Sequence, residues 1–185
     1  MTNTAEQELL AKAKRFDQDA LGQIYDQYST ALYRYAYRQL GHAQMAEDCV
    51  AETFARFLNA LKQNKGPKNH LRAYLYRIAH NWINDQYRRG TQPTDSIEDR
   101  EDLTDDAQVS VEHTVQQNLE AEVIRGYLKE LTDEQRQVIV LKHLENLDNA
   151  EVAEIMNKNV GSIKALNSRA LNNLRKLMES GDTKS

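Results

Sequence analysis

The stretch NAEVAEIMNKNVGSIKALNSRALNNLRKL, from Asn149 to Leu177, has the residue spacing of a helix-turn-helix. Ala153 is followed at +4 by Asn157, at +10 by Ile163 and at +13 by Leu166. A small residue lets two helices approach, Asn tolerates the positive φ of a tight turn, and two apolar residues dock the second helix on the first. The pattern therefore predicts two helices joined by a short turn.

The second helix of this stretch is basic, because residues 155–178 contain five Lys or Arg and no acid. Apolar residues recur along one face, so we expect the opposite face to be exposed. Cations suit DNA phosphates, and Ser and Asn can bond base edges in a major groove. The alternative is a solvated basic helix in an αα-hairpin. The candidate DNA-binding residues are Ser162, Lys164, Ala165, Ser168, Arg169 and Asn172.

Further helices precede this stretch. Apolar periodicity runs from Leu119 to Leu131, and Thr132 with Gln135 three residues later is a capping-box pattern that opens a helix through Leu144. Asp148 with Glu151 repeats that pattern. We therefore predict a C-terminal helical domain over residues 119–180.

The N-terminal half predicts three amphipathic helices that bury their apolar stripes against one another in a bundle over residues 5–90. Gly41 is a plausible stop for the first helix. The inner face of the third is predicted to be Leu71, Leu75, Ile78 and Trp82. Cys49 is the single cysteine, which excludes an internal disulfide, and we expect it to be buried and inert.

The charged residues are unevenly distributed, so the net charge of −4 does not describe the local charge of any one segment. Residues 62–89 contain seven basic residues and one acid, whereas residues 91–118 contain eight acids and one Arg. The acidic part lacks apolar periodicity, and we interpret it as a flexible linker over residues 91–118. The fold class is therefore all-α, with two small helical domains joined by an acidic linker.

The third N-terminal helix, HLRAYLYRIAHNWINDQYRRG, interleaves cations with aromatic residues. We expect its solvent face to present Tyr76, Arg77, His80, Asn84, Tyr87 and Arg88. Cations with rings suit single-stranded DNA, whose bases stack on aromatic side chains. A surface helix with ordinary tyrosines is the alternative.

Three segments, taken in order, resemble the sigma factors of bacterial RNA polymerase, in the extracytoplasmic-function group that keeps only the second and fourth conserved regions. AEDCVAETFARFLNAL (Ala46 to Leu61) looks like the helix that docks on the polymerase clamp. AYLYRIAHNWINDQYRR (Ala73 to Arg89) is similar to the helix that melts the promoter and reads the minus-ten element. Leu131 to Leu177 resembles the region that reads the minus-thirty-five element. Tyr74 stands where the group often has Trp, and Leu166, Asn167 and Leu171 also depart from its usual residues.

The resemblance implies a role for each segment. Asp48, Glu52 and Arg56 would bind core RNA polymerase, with a merely solvated face as the alternative. The implied minus-ten residues, which would contact promoter DNA and the opened nontemplate strand, are Arg72, Tyr74, Tyr76, Arg77, His80, Asn81, Asn84 and Arg88. The acidic linker would imitate nucleic acid in a polymerase channel or serve as a plain tether. An anti-sigma factor is an open further partner.

Other function classes fit the sequence less well. No apolar run approaches the roughly 18 residues of a membrane span, and the N-terminus lacks the apolar core of a signal peptide, so we expect a cytoplasmic protein without membrane insertion. The five histidines show no paired metal-ligand spacing, and no Gly cluster could cradle a phosphate. We therefore expect no catalytic residue, metal or cofactor. The alternative function is a free-standing helix-turn-helix transcriptional regulator.

Overall fold

Helices make up the regular structure of the computed structural model, which describes residues 4–90 and 122–182. The N-terminal unit (4–90) contains α1 (Thr4–Ala13), α2 (Gln18–Leu40), α3 (Ala43–Lys62) and α4 (Leu71–Arg88). The C-terminal unit (122–182) contains α5 over residues 122–129, α6 (Asp133–Ile139), a π-helical turn (Val140–Leu144), α7 (Asn149–Met156) and α8 (Val160–Asp182). No β-strand occurs in these two ranges, and the all-α prediction is confirmed. The predicted linker, residues 91–118, lies outside the described residues.

Short-range signals set the helix ends. Gly41 ends α2 in the left-handed conformation, with φ of 69°, and its N–H donates to the carbonyl of Tyr37 at 2.7 Å. At the start of α7, the Asp148 carboxylate accepts from the Glu151 N–H at 2.8 Å. The Glu151 carboxylate in turn accepts from the Asp148 N–H at 2.9 Å. Both sequence predictions, the Gly41 stop and the Asp148 capping box, are confirmed.

The N-terminal unit buries one apolar core between α2, α3 and α4. Its largest fully buried side chains include Leu32, Tyr35, Phe57, Leu75 and Ile83. Burial of one such side chain contributes roughly 1.5 to 3 kcal/mol, so this core supplies much of the stability of the unit. The predicted inner face of α4 meets the apolar core: Leu71 and Leu75 are buried, and Ile78 and Trp82 are half-buried and packed against it.

Cys49 lies in this core with no exposed surface, as the sequence predicted. Burial raises the pKa of its thiol to about 12, against smaller opposing effects of the Thr53 hydrogen bond and Arg56. The reactive form of a cysteine is the thiolate, so Cys49 is an inert core residue.

The C-terminal unit is organised by the helix-turn-helix. Asn157 has φ of 52° at the end of α7, which is the left-handed conformation that the turn requires. Ile155 of α7 and Ile163 of α8 are buried, as is Val138 of α6. The predicted spacing of the helix-turn-helix is therefore confirmed.

The two units pack against each other, a point that the sequence left open. Helix α4 lies against α7, and α2 contacts α6 and the π-helical turn. Helix α4 is consequently covered on two sides, by its own bundle and by the C-terminal unit.

Candidate nucleic-acid interface

The outer face of α8 is the most accessible of the predicted surfaces. Ile163, Leu166 and Ala170 are buried against the rest of the unit. All six predicted residues of the opposite face are exposed: Ser162, Lys164, Ala165, Ser168, Arg169 and Asn172. The helix therefore offers one polar, basic face to solvent.

The start of α8 is held by Asn159, whose side-chain oxygen accepts from the Ser162 N–H at 2.8 Å. Within residues 4–90 and 122–182, Lys164 and Arg169 form no ion pair and no side-chain hydrogen bond. Their charges are thus available to a polyanion without loss of a contact to any described residue. Asn167 is different, because its side-chain oxygen lies 2.9 Å from His143 Nε2.

Helix α4 places its predicted residues in three environments. Arg77, Asn81 and Arg88 are exposed, and Arg72, Tyr74 and Asn84 are half-buried. The ring of Tyr74 packs edge-on against Phe57, with centroids 6.2 Å apart, and burial raises the pKa of its hydroxyl. Tyr76 and His80 are buried, with exposed fractions of 2% and 4%. The prediction that these two side chains face solvent is wrong.

Tyr76 is buried because its hydroxyl bonds across the contact between the two units. It donates to Glu145 Oε2 at 2.7 Å, and its ring lies 5.5 Å from that of Tyr35. Burial, with the nearby Glu145 carboxylate, raises the pKa of Tyr76 well above its ordinary value. The hydroxyl therefore remains a neutral donor.

His80 connects the N-terminal core to the C-terminal unit. Its Nδ1 lies 3.2 Å from Tyr35 Oη, and its Nε2 lies 3.0 Å from Asn84 Nδ2. Asn84 Oδ1 in turn accepts from Gln137 Nε2 at 2.7 Å. Because Asn84 donates to Nε2, the ring proton of His80 is assigned to Nδ1, which donates to Tyr35. Burial lowers the pKa of His80 from 6.5 to about 4, so the ring is neutral at pH 7.

Glu145 is the functional candidate that sequence reasoning missed. Its side chain is 6% exposed and pairs with Arg38 Nη1 at 2.8 Å. Its backbone carbonyl accepts from Arg72 Nη2 at 2.6 Å. Glu145 directly follows the π-helical turn, and such turns are frequent at functional sites. Nothing in its local sequence distinguishes it from other surface acids, because its partners lie 69 to 107 positions earlier in the chain.

The predicted polymerase-binding stripe lies on α3. Asp48 and Arg56 are exposed and Glu52 is half-exposed. Glu52 pairs with Arg56 at 2.7 Å, and Asp48 accepts from Gln44 at 3.1 Å. A shallow open depression lies beside the stripe between α2 and α3, lined by Tyr25, Ser29, Thr30, Tyr33, Glu47, Val50 and Ala51. The three predicted residues thus share one accessible face of α3.

The described residues hold neither a group of metal ligands nor a membrane-spanning helix. No three His, Cys, Asp or Glu side chains are grouped in these ranges as ligands for a metal ion. Among the helices of the same ranges, none has the length and apolar character needed to cross a membrane.

Comparison with known proteins matches each of the two units to a family model. The family model of sigma-70 region 2 matches residues 24–92, and that of sigma-70, region 4, matches residues 121–174. The extracytoplasmic-function (ECF) RNA polymerase sigma factor SigW of Bacillus subtilis is 34% identical, over 90% of this chain and 93% of its own length. The ECF RNA polymerase sigma factor BldN of Streptomyces coelicolor is 31% identical over 92% of this chain, which spans 65% of BldN. A chain of the solved structure of CnrH in complex with the cytosolic domain of CnrY superposes with a TM-score of 0.74 at 25% identity, covering 95% of this chain and 98% of that chain.

Proposed function

Because the chain belongs to the sigma-70 family, in the ECF group of RNA polymerase sigma factors, we propose that it directs core polymerase to promoters by binding two DNA elements. The observation that carries the proposal is the exposed basic face of α8 over residues 162–176, which stands in the unit matched by sigma-70 region 4 and carries no acid. The protein acts by binding and not by catalysis. It works in the cytoplasm, where polymerase and DNA are found.

Helix α8 reads the upstream, minus-thirty-five element in the major groove. Lys164 and Arg169 approach phosphates or guanine edges, since both are exposed and their charges have no internal partner in the described ranges. Ser162, Ser168 and Asn172 are short polar side chains that can bond base edges. Ala165 is small enough to let the helix backbone come close to the groove.

Helix α4 engages the minus-ten element after its strands separate. Arg77, Asn81 and Arg88 are accessible while the two units are packed together and can make first contact with the DNA backbone. Tyr74 offers a half-buried ring on which a flipped base can stack, for about 1 to 3 kcal/mol. Arg72, Tyr76, His80 and Asn84 complete this surface once the C-terminal unit moves away, because each lies at the contact between the units or beside it.

Helix α3 docks on core polymerase through Asp48, Glu52 and Arg56. The stripe presents charge on a rigid helix, and complementary charge on a partner gives both orientation and a faster encounter. The adjacent depression between α2 and α3 adds apolar surface from Val50 and the tyrosine rings. Polymerase docking and DNA binding therefore use different faces of the N-terminal unit.

The acidic segment over residues 91–118 keeps both binding units on one tether, so that two weak contacts give a selective complex. Its eight acids suit a positively charged channel of polymerase. An anti-sigma factor that covers the DNA-binding faces is a further partner that this arrangement allows.

The test is run-off transcription from a promoter with purified core polymerase, with and without the chain. We expect initiation only when the chain is present. The double variant Lys164→Ala with Arg169→Ala should weaken initiation by about tenfold or more, because loss of one good base contact costs about 1 to 3 kcal/mol. Its salt dependence should be flatter, since fewer phosphate contacts are made.

The control is Lys12→Ala in α1 with Lys14→Ala in the turn that follows it, which removes the same charge from an exposed site remote from α8 in the sequence. Unchanged initiation by the α8 variant would refute the assignment of α8. Tight binding of duplex DNA by the chain alone, without association with core polymerase, would indicate a free-standing regulator instead.

A further inference from the structure

We infer that Glu145 is a latch that holds the two units closed and occupies donors on α4 that would otherwise bind the opened DNA strand. The second half of this inference rests on the proposed function, whereas the first half rests on geometry alone. The free chain would thereby keep its minus-ten surface covered until the units separate.

Three hydrogen bonds between the units converge on the single residue Glu145. Its carboxylate accepts from Arg38 Nη1 at 2.8 Å and from the Tyr76 hydroxyl at 2.7 Å, and its carbonyl accepts from Arg72 Nη2 at 2.6 Å. Hydrogen bonds that involve a charged donor or acceptor are about twice as strong as neutral ones. A carboxylate that is only 6% exposed is tolerated because these donors satisfy it. The same three donors all come from the N-terminal unit.

The position of Glu145 is set by the backbone before and after it. The π-helical turn over Val140–Leu144 ends at Glu145, whose N–H donates to the carbonyl of Val140 at 2.9 Å. Asn146 follows in the left-handed conformation, with φ of 53°, and turns the chain toward α7. The loop therefore projects both the carboxylate and the carbonyl toward α2 and α4.

Further polar contacts join the units, beside the apolar residues that both units contribute to one core cluster. Gln137, which is 2% exposed, donates to Asn84, and the guanidinium of Arg125 lies 4.6 Å from the ring centroid of Tyr37. Interfaces between domains of one chain generally resemble those of transient complexes, and relative motion of the domains is the default expectation unless the interface is large and hydrophobic. The Arg38–Glu145 ion pair joins the two units, and the Glu145 carboxylate is its more deeply buried partner.

The chemistry of the latch matches that of the ligand it excludes. An acidic side chain and a carbonyl oxygen take the guanidinium of Arg72 and the hydroxyl of Tyr76, the groups that would otherwise meet phosphate and base. Arg38, which no predicted site contains, adds a second guanidinium to the same anion. Glu145 and a DNA strand therefore compete for one set of donors, and binding of either excludes the other.

The experiment measures opening of the free chain directly. We propose small-angle X-ray scattering of the wild type, of Glu145→Lys, which places a cation against two arginines, and of Glu130→Lys as control. Glu130 is exposed and the control makes the same charge change. We expect a larger radius of gyration for Glu145→Lys alone, with helical content by circular dichroism unchanged.

A second variant and a chemical readout guard against a folding defect. Arg38→Ala removes one donor without placing a charge in the contact, and it should also enlarge the radius of gyration. In both variants, diethylpyrocarbonate should modify His80 several-fold faster than in the wild type, with exposed His70 as internal reference. Equal radii of gyration for wild type and both latch variants would overturn the inference.

Strand binding separates the inference from the proposed function. A labelled single-stranded oligonucleotide that carries a minus-ten sequence should bind Glu145→Lys several-fold more tightly than the wild type. Opening of the units without any gain in strand binding would support the latch and contradict the assignment of α4 to the opened strand. Compact scattering together with a gain in strand binding would overturn the latch.

Discussion

Buried His80 makes the stability of the folded chain depend on pH. The structure lowers the pKa of His80 from 6.5 to about 4, chiefly through burial and with a smaller lowering effect of Lys158, while Glu134 acts in the opposite direction. The neutral ring is therefore favoured in the folded state. As pH falls below 6.5 the unfolded chain takes up a proton at this site before the folded chain does, so stability is complete above that pH and is lost toward pH 4.

The size of the effect follows from that shift. One pKa unit corresponds to about 1.4 kcal/mol, and between pH 7 and pH 5 the linkage relation gives a loss of about 2 kcal/mol at His80. The replacement His80→Gln keeps a side chain able to bond Tyr35 and Asn84 but does not titrate. We expect the wild type to lose about 2 kcal/mol more unfolding free energy than His80→Gln over this interval.

The measurement is urea unfolding followed by circular dichroism at pH 7 and pH 5, with both proteins at one salt concentration. Other titrating groups contribute equally to both proteins, so the difference between them isolates His80. If wild type and His80→Gln lost the same free energy, the assignment of a neutral, buried ring would be refuted.

Two further predictions concern the docking stripe and a helix start. Asp48→Arg with Glu52→Arg should abolish pull-down of core polymerase, because the charge of the stripe is reversed. The matched control, Glu8→Arg with Glu122→Arg, should bind core polymerase normally. Retained binding by the stripe variant would contradict the assignment of the docking face. Asp148→Ala should lower the free energy of unfolding by about 1 kcal/mol, because the capping box of α7 is lost. An unchanged midpoint of urea unfolding would show that the capping box does not contribute to stability.

Local patterns predicted the parts of this fold that depend on residues close in sequence. The stop at Gly41, the turn at Asn157 and the capping box at Asp148 each depend on a few neighbouring residues, and each is present. The exposed face of α8 follows from the 3.6-residue period in the same way, because that helix buries only one side.

Helix α4 shows where such reasoning fails. A pattern with one apolar stripe predicts one buried face, but α4 is covered by its own bundle and by the C-terminal unit. Tyr76 and His80 carry polar atoms, so the pattern places them in solvent, whereas each finds a partner far away in the chain. The role of Glu145 was unpredictable for the same reason, since its partners are brought together only by packing of the two units.

The buried thiol of Cys49 has a practical consequence for measuring the motion of the two units. A cysteine with no accessible surface and a pKa of about 12 does not react with maleimide dyes at neutral pH. Fluorophores can therefore be attached at newly introduced surface cysteines, one on each unit, while the native residue is left in place. Energy transfer between such a pair would report the separation of the units one molecule at a time.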